Sequence, residues 1–268
     1  MGSKAEKAMI KRGEKYRGAG VFHPMKTSKL GDYLCCIRQK DVNIWFYHRN
    51  DQIIVFDSGY CDDPRLLHNI ERLGMKNQDI TAVFLTHGDL ENAGGICSEE
   101  AFAPNATIYA HPAEEPLLRG KGKRLSSGLG KCYSPLTFQG TFEAISHKQV
   151  VAFDGIEVQC FHCPGHTKGH TVYLVDRKFL FSGDSLAING EGGQCYFHEF
   201  NDNTKENIQS LARLQEDLVG KEPDMVYSSH NGGCSYDKAF SRFNQVAEGK
   251  KKAPFDQKAP VDVFTENE

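Results

Sequence analysis

Apolar and polar positions along the chain fall into two series of similar order. In the first, YLCCIR (33–38), NIWFYH (43–48) and QIIVFD (52–57) are short runs rich in β-branched and aromatic residues, parted by the turn formers KD and RND. Such runs predict antiparallel hairpins. DPRLLHNIERLG then switches to a helical period, with Asp63 as N-cap, Pro64 at the first helical position and Gly74 as the stop. TAVFLT (81–86) predicts a buried strand, a short helix follows Glu91, and ATIYAH (106–111) is the next strand. In the second series, QVVAF (149–153) and IEVQCFH (156–162) flank Asp154-Gly155, and TVYLVD (171–176) and KFLFSGD (178–184) form another hairpin. An amphipathic helix is expected over about 204–219, a strand at DMVYSS (224–229) and a last helix over 236–247.

Hairpin groups with helices between them, met twice, predict two sheets packed face to face with helices outside: an α/β four-layer αββα sandwich. No linker divides the chain, so 21–249 is read as one domain. A polar arm precedes it over 1–20, and a loosely attached tail, rich in Lys and Pro and then acidic, follows over 250–268.

With 268 residues the chain can bury a substantial core. A net charge of −3 gives no nucleic-acid footprint. The N-terminus is basic without an apolar core, so it does not read as a secretory signal. No apolar run reaches the roughly 18 residues of a membrane span. The expectation is a cytoplasmic protein with no membrane or nucleic-acid partner; a homodimer is left open. Nine cysteines, an odd number at scattered spacing, read as reduced thiols. Cys160 and Cys163 form a C-x-x-C, but no second pair completes a zinc site. Segment 119–131, RGKGKRLSSGLGK, carries five basic residues and four glycines. It reads either as a solvated surface loop or as a lid that attracts an anionic small-molecule substrate.

Chemically able residues recur where strands give way to loops: Asp57 after VF; His87, Asp89 and Glu91 after VFLT; His166 and His170 after QCFHCPG; Asp184 after FLFSG; His230 after MVYSS. Side chains at successive strand ends can converge at one sheet edge. Imidazoles and carboxylates together suit one or two divalent ions, zinc, iron or manganese, and such ions turn water into a nucleophile.

In this order the residues resemble the metallo-β-lactamase superfamily over about residues 30–245. PGHTKGH (164–170) is similar to that family's Pro-Gly-His-Thr-x-Gly-His turn, FSGD (181–184) to the motif of its bridging aspartate, SSH (228–230) to its terminal ligand motif, and VFDSG (55–59) to the strand end whose aspartate supports the site. The central His-x-His-x-Asp-His is altered here to HGDLEN: Asp89 and Asn92 stand where two histidines would, and Glu91 replaces the Asp. The resemblance implies one ion held by His87, Asp89 and His166 with Asp184 bridging. A second, looser ion would have Glu91, Asp184, His230 and the amide oxygen of Asn92, with Asp57 and His170 in support. Carboxylates retained at the altered positions favour a retuned site over an abandoned one. His111, Tyr196 and His198 are candidates for the substrate pocket, although a helix-start role for His111 and plain packing for Tyr196 and His198 are equally simple readings.

The implied activity is hydrolysis by a metal-bound hydroxide of a small ester, lactone, thioester, amide or phosphoester, with Glu91 and Asp184 as the catalytic carboxylates. Two alternatives stand beside it: non-haem iron redox chemistry on the same fold, and a non-catalytic ligand-binding protein with a degenerate metal site.

Overall fold

The computed structural model describes residues 21–61, 63–98, 102–125 and 132–248, with Cys132 and 262–263 as backbone alone. The arm over 1–20 lies outside the described residues, as do 126–131 of the basic segment and the tail apart from 262–263.

Alternating and continuous apolar runs form two large sheets. The first is eight-stranded. Its antiparallel half is Ser28–Lys29, Leu34–Gln39, Val42–Arg49 and Gln52–Phe56, and its parallel half adds Ile80–Phe84, Thr107–Ala110 and Glu143–Ala144. Asp262–Val263 pairs with Ser28–Lys29 at the far edge. The second sheet runs Val150–Phe153, Ile156–His162, Thr171–Val175, Phe179–Gly183, Met225–Ser228 and Gly232–Ser235. The hairpin strands pair as their turn residues require, and Phe179–Gly183 lies parallel to Met225–Ser228.

Three apolar clusters define the layers. Between the sheets lie Leu34, Trp45, Tyr47, Phe56 and Phe84 from one side and Val158, Tyr173, Phe181 and Tyr227 from the other. Phe56 stacks on Phe181 across this interface at 4.1 Å. On the outer face of the first sheet, Leu66 and Ile70 of the helix Pro64–Arg72 pack against Val55 and Val83. On the outer face of the second, Leu211 and Leu214 of the helix Thr204–Asp217 pack against Val172 and Leu180. The chain is thus the expected αββα sandwich. Caps follow the sequence: Asp63 accepts from Arg65 N and Asn203 from Glu206 N, each satisfying an amide that the first turn leaves unpaired.

Two elements differ from expectation. The helix foreseen over 236–247 is a single turn, Tyr236–Ala239, followed by the strand Arg242–Val246. This strand joins a three-stranded sheet with Leu186–Asn189 and Gly192–Cys195, Gln194 pairing with Arg242 and Cys195 with Val246. Gly193 admits the close approach: a Cβ there would lie 2.0 Å from the carbonyl of Ala239. Partner strands, supplied from elsewhere in the chain, decide the conformation over local periodicity. The basic segment is the second difference. Arg124 is buried, 1% exposed, so at that residue the segment is not a solvated surface.

Candidate metal centre

Each large sheet delivers its polar residues just past strand ends. His87, Asp89, Glu91 and Asn92 follow Ile80–Phe84, and Asp57 follows Gln52–Phe56; His166 and His170 follow Ile156–His162, Asp184 follows Phe179–Gly183, and His230 follows Met225–Ser228. The facing edges bring these groups together. His87, Asp89 and His166 offer donor atoms that all lie within 4.8 Å of one another. His87 Nε2 and His166 Nε2 stand 3.6 and 3.3 Å from Asp89 Oδ2. The Nε2 atoms of His87, His166 and His230 stand 3.8, 3.7 and 3.3 Å from Asp184 Oδ2. All of these residues are buried except Glu91, which is partly exposed.

The hydrogen bonds fix which nitrogen of each ring faces inward. Thr86 Oγ1 donates its one proton to Asp57, so it accepts from His87 Nδ1 at 2.9 Å. The amide of Asn201 donates to the carbonyl of Tyr196 and turns its oxygen to His166 Nδ1 at 3.2 Å. The carbonyl of Asp41 accepts from His230 Nδ1 at 2.6 Å. Each ring thus spends its Nδ1–H outward and points Nε2 at the shared carboxylates, the arrangement in which imidazoles serve as metal ligands. His87 Nε2 and Asp184 Oδ1 have no hydrogen-bond partner among the described residues. Tetrahedral ligands about 2.0–2.2 Å from a common ion lie about 3.3–3.6 Å apart, close to the spacings found. The donor set fits a divalent cation.

Electrostatics agree. Burial alone would lower the pKa of His87 and His230, yet their carboxylate neighbours raise them to about 9 and about 10. Burial would raise Asp184, but His230, His166 and His87 hold it well below the usual carboxylate range. The cluster attracts positive charge. Glu91 behaves differently: burial and then the charge of Asp89 push its carboxyl up to about 7.

Asn92 carries a structural task as well. Its Nδ2 donates to Asp57 Oδ2 at 2.7 Å and Ser229 Oγ at 3.0 Å, while its Oδ1 is buried with no hydrogen-bond partner among the described residues. Asp57 also accepts from Thr86 N and Thr86 Oγ1, so it ties three strand-end loops together. His170 Nε2 accepts from the amide of Asp184 at 3.1 Å, which orders the FSGD turn. Gly183 there has φ +54°, and a Cβ would press on His170 and Thr86.

The pocket candidates part ways. Tyr196 lies edge-on to His166 at 5.1 Å, buried in the centre's wall. His111 instead caps the turn Pro112–Glu114 and stacks on His162 at 3.9 Å, and His198 bonds Thr204 Oγ1 at 2.9 Å. Cys160 and Cys163 are both buried, and burial pushes each thiol up to about 12, far from a reactive thiolate.

Three residues escaped the sequence reading. Arg124 enters the centre: Nη1 bonds Asp89 Oδ2, Nε bonds Asp202 Oδ1 at 3.0 Å, and Nη2 bonds the carbonyls of His166, at 2.8 Å, and Phe200. Nothing in RGKGKR singles it out from its neighbours. Glu114, buried, accepts from Gly88 N and Gly169 N, each at 2.6 Å, and so clamps the HGD turn to the PGHTKGH turn. A Cβ at either glycine would press on Glu114, which explains both glycines. Its signal was an acid just past a strand end, in YAHPAEEP. Phe22 stacks on His230 at 4.2 Å and joins Tyr196, Phe197 and Phe200 in an aromatic cap. Its partners lie some 200 residues away in sequence, beyond the reach of any local pattern.

Residues 37–230 match the family described as the metallo-beta-lactamase superfamily. The chain belongs to that superfamily. Within it, the chain is 27% identical over 164 residues to a hydroxyacylglutathione hydrolase of Buchnera aphidicola, covering 61% of this chain and 54% of the relative. It is 25% identical over 195 residues to the hydroxyacylglutathione hydrolase of Aeromonas hydrophila, covering 71% and 61%. The chain therefore spans little more than half the length of these relatives. Among solved structures, a Cronobacter sakazakii metallo-beta-lactamase with a HARLDQ motif superposes with a TM-score of 0.61 at 22% identity, covering 81% of this chain and 82% of that one. Among the described residues, no helix is long and apolar enough to cross a membrane.

Proposed function

We propose that the chain is a metal-dependent hydrolase of a small thioester or ester, folded as one domain over 21–249. The observation that carries this reading is the convergence of three imidazole Nε2 atoms on Asp184 Oδ2, two of them facing Asp89 Oδ2 as well, with each Nδ1 held outward. His87, Asp89, His166 and Asp184 form the first position; Asp184, His230, Glu91 and the free amide oxygen of Asn92 form the second. A divalent ion bound there supplies a Lewis acid and makes water acidic enough to serve as a nucleophile near neutral pH. Two carboxylates in place of one carboxylate and one more imidazole move the preference toward iron or manganese beside zinc.

The chain's own residues do the rest. Glu91, whose carboxyl is raised by burial and by Asp89, would be held as the carboxylate by an ion at the second position and could there orient the attacking water. Tyr196 and the aromatic cap keep bulk water from the centre and strengthen its electrostatics. Hydroxyacylglutathione, named in the relatives, is a thioester, which supports that bond type as substrate. The string HARLDQ, like HGDLEN, has a carboxylate and then a carboxamide in its fifth and sixth places, which supports reading Asn92 as retuning.

The test is hydrolysis of a hydroxyacylglutathione thioester and of a panel of simple esters by protein loaded with zinc, iron or manganese. Turnover that follows metal content and disappears in His166→Ala bears the proposal out. Turnover that survives chelation, or none with any substrate despite full metal loading, overturns it.

A further inference from the structure

One oxygen is asked to do two things. Asp89 Oδ2 faces His166 Nε2 at 3.3 Å and His87 Nε2 at 3.6 Å, where a shared ion would sit between them. The same oxygen accepts from Arg124 Nη1. The guanidinium is not a passing visitor. It is buried, 1% exposed, and three more of its N–H groups bond Asp202 Oδ1 and the carbonyls of His166 and Phe200. Asp202 Oδ1 also accepts from Leu125 N at 2.8 Å, so the backbone beside Arg124 is pinned as well. A buried cation held by four acceptors cannot swing away without leaving charges unpaired.

We infer that Arg124 is a fixed competitor for Asp89, which weakens the first position toward divalent ions and sets how strongly that position fills. The inference rests on the reading of His87, Asp89 and His166 as metal donors, and it adds a control on them. Asp89 stands where the family pattern has a neutral imidazole. Arg124, shared between Asp89 and Asp202, offsets part of the charge that Asp89 adds while leaving an oxygen donor in place. An entering dication must share Asp89 Oδ2 with the guanidinium and bear its repulsion at close range, where two cations in a buried setting interact strongly. Part of the attraction the carboxylate would give is already taken.

The experiment is zinc titration of the full chain, stripped by chelator, in competition with a chromophoric chelator, comparing wild type with Arg124→Met and Arg124→Lys. Arg124→Met is expected to bind its first zinc at least about tenfold more tightly than wild type. Arg124→Lys, which keeps the charge but loses the fork, is expected to fall between. With cobalt(II) in place of zinc, the visible bands of Arg124→Met should differ from those of wild type, because Asp89 then donates to the ion without sharing. Equal or weaker zinc binding by a folded Arg124→Met overturns the inference and leaves Arg124 as a structural tie, with the metal centre intact. Absence of zinc binding in both proteins overturns the metal reading and this inference with it. Should Arg124→Met fail to fold, Arg124→Gln, neutral and still able to donate to the carbonyls of His166 and Phe200, decides by the same criterion.

Discussion

The two halves of the centre differ in how they are prepared for an ion. In the first, His87, Asp89 and His166 are already gathered within 4.8 Å, but a guanidinium sits on their carboxylate. In the second, acceptor oxygens of Asn92 and Asp184 stand without hydrogen-bond partners, yet no second group of three His, Cys, Asp or Glu donors is gathered as tightly among the described residues. Proximity of donors and freedom of donors are separate properties. The first half has its donors gathered but its carboxylate engaged, with His87 Nε2 alone left free among the described residues; the second has free oxygens less closely gathered, and Asp184 between them serves both.

The largest effect should come from breaking the first half outright. His166→Ala removes a nitrogen that faces both Asp89 and Asp184; bound metal, read by elemental analysis, should fall well below that of wild type, and hydrolysis by about a thousandfold or more. A variant that keeps full metal and turnover would place the chemistry wholly on the Glu91 and His230 side. Next, Glu114 joins the two turns that carry the first half's donors, without touching an ion. Glu114→Gln offers an NH2 where a second acceptor is needed, so it should cost metal affinity about as much as Glu114→Ala, on the order of 10–100-fold. Full affinity in the Gln variant would mean that one hydrogen bond suffices.

Asn92→Ala tests the other half. It deletes the free amide oxygen and one donor to Asp57, and should weaken the second ion about tenfold while the first keeps its affinity. Loss of both ions together would show that Asp57 binds the halves into one unit. The smallest effect lies outside the centre. Burial, then the neighbouring His162, lowers His111 to about 4, below the about 6.5 of an unfolded imidazole. The folded state therefore resists protonation there. Its stability contribution is full above about pH 6.5 and is lost as pH falls toward 4. Because His111 is only half-buried, the effect is discounted to about 1 kcal/mol. Urea unfolding at about pH 7 and about pH 5 should show His111→Gln less acid-sensitive by that amount, with both metal positions unaffected. Identical pH dependence would mean that His111 does not carry the response.

Much of the centre was legible because strand ends and turns are local. PGHTKGH, FSGD and SSH each follow an apolar run, and a strand of fixed period delivers the next polar residue to a foreseeable edge. What stayed hidden was set by contacts between distant segments. Arg124 reaches Asp89 across 35 residues and Asp202 across 78. Glu114 meets Gly169 across 55. In the fold, the layers followed from periodicity, while the stretch after Ala239 did not, because Gly192–Cys195 recruits it as a strand. The helix Pro64–Arg72, by contrast, is fixed by Asp63, Pro64 and Gly74 within a dozen residues, and it came out as its sequence implies.

Trp45, the chain's single tryptophan, lies in the seam between the two sheets, 4.5 Å from Tyr227 and 6.1 Å from Phe181. Its indole N–H is buried with no hydrogen-bond partner among the described residues. The protein thus carries an internal optical probe in a buried, largely apolar setting, for which blue-shifted emission is expected in the folded state. That emission reports whether the two sheets are closed on each other, and it stays silent on whether the strand-end loops have taken up an ion. Fluorescence and metal release, followed side by side during unfolding, therefore time two different events in one molecule.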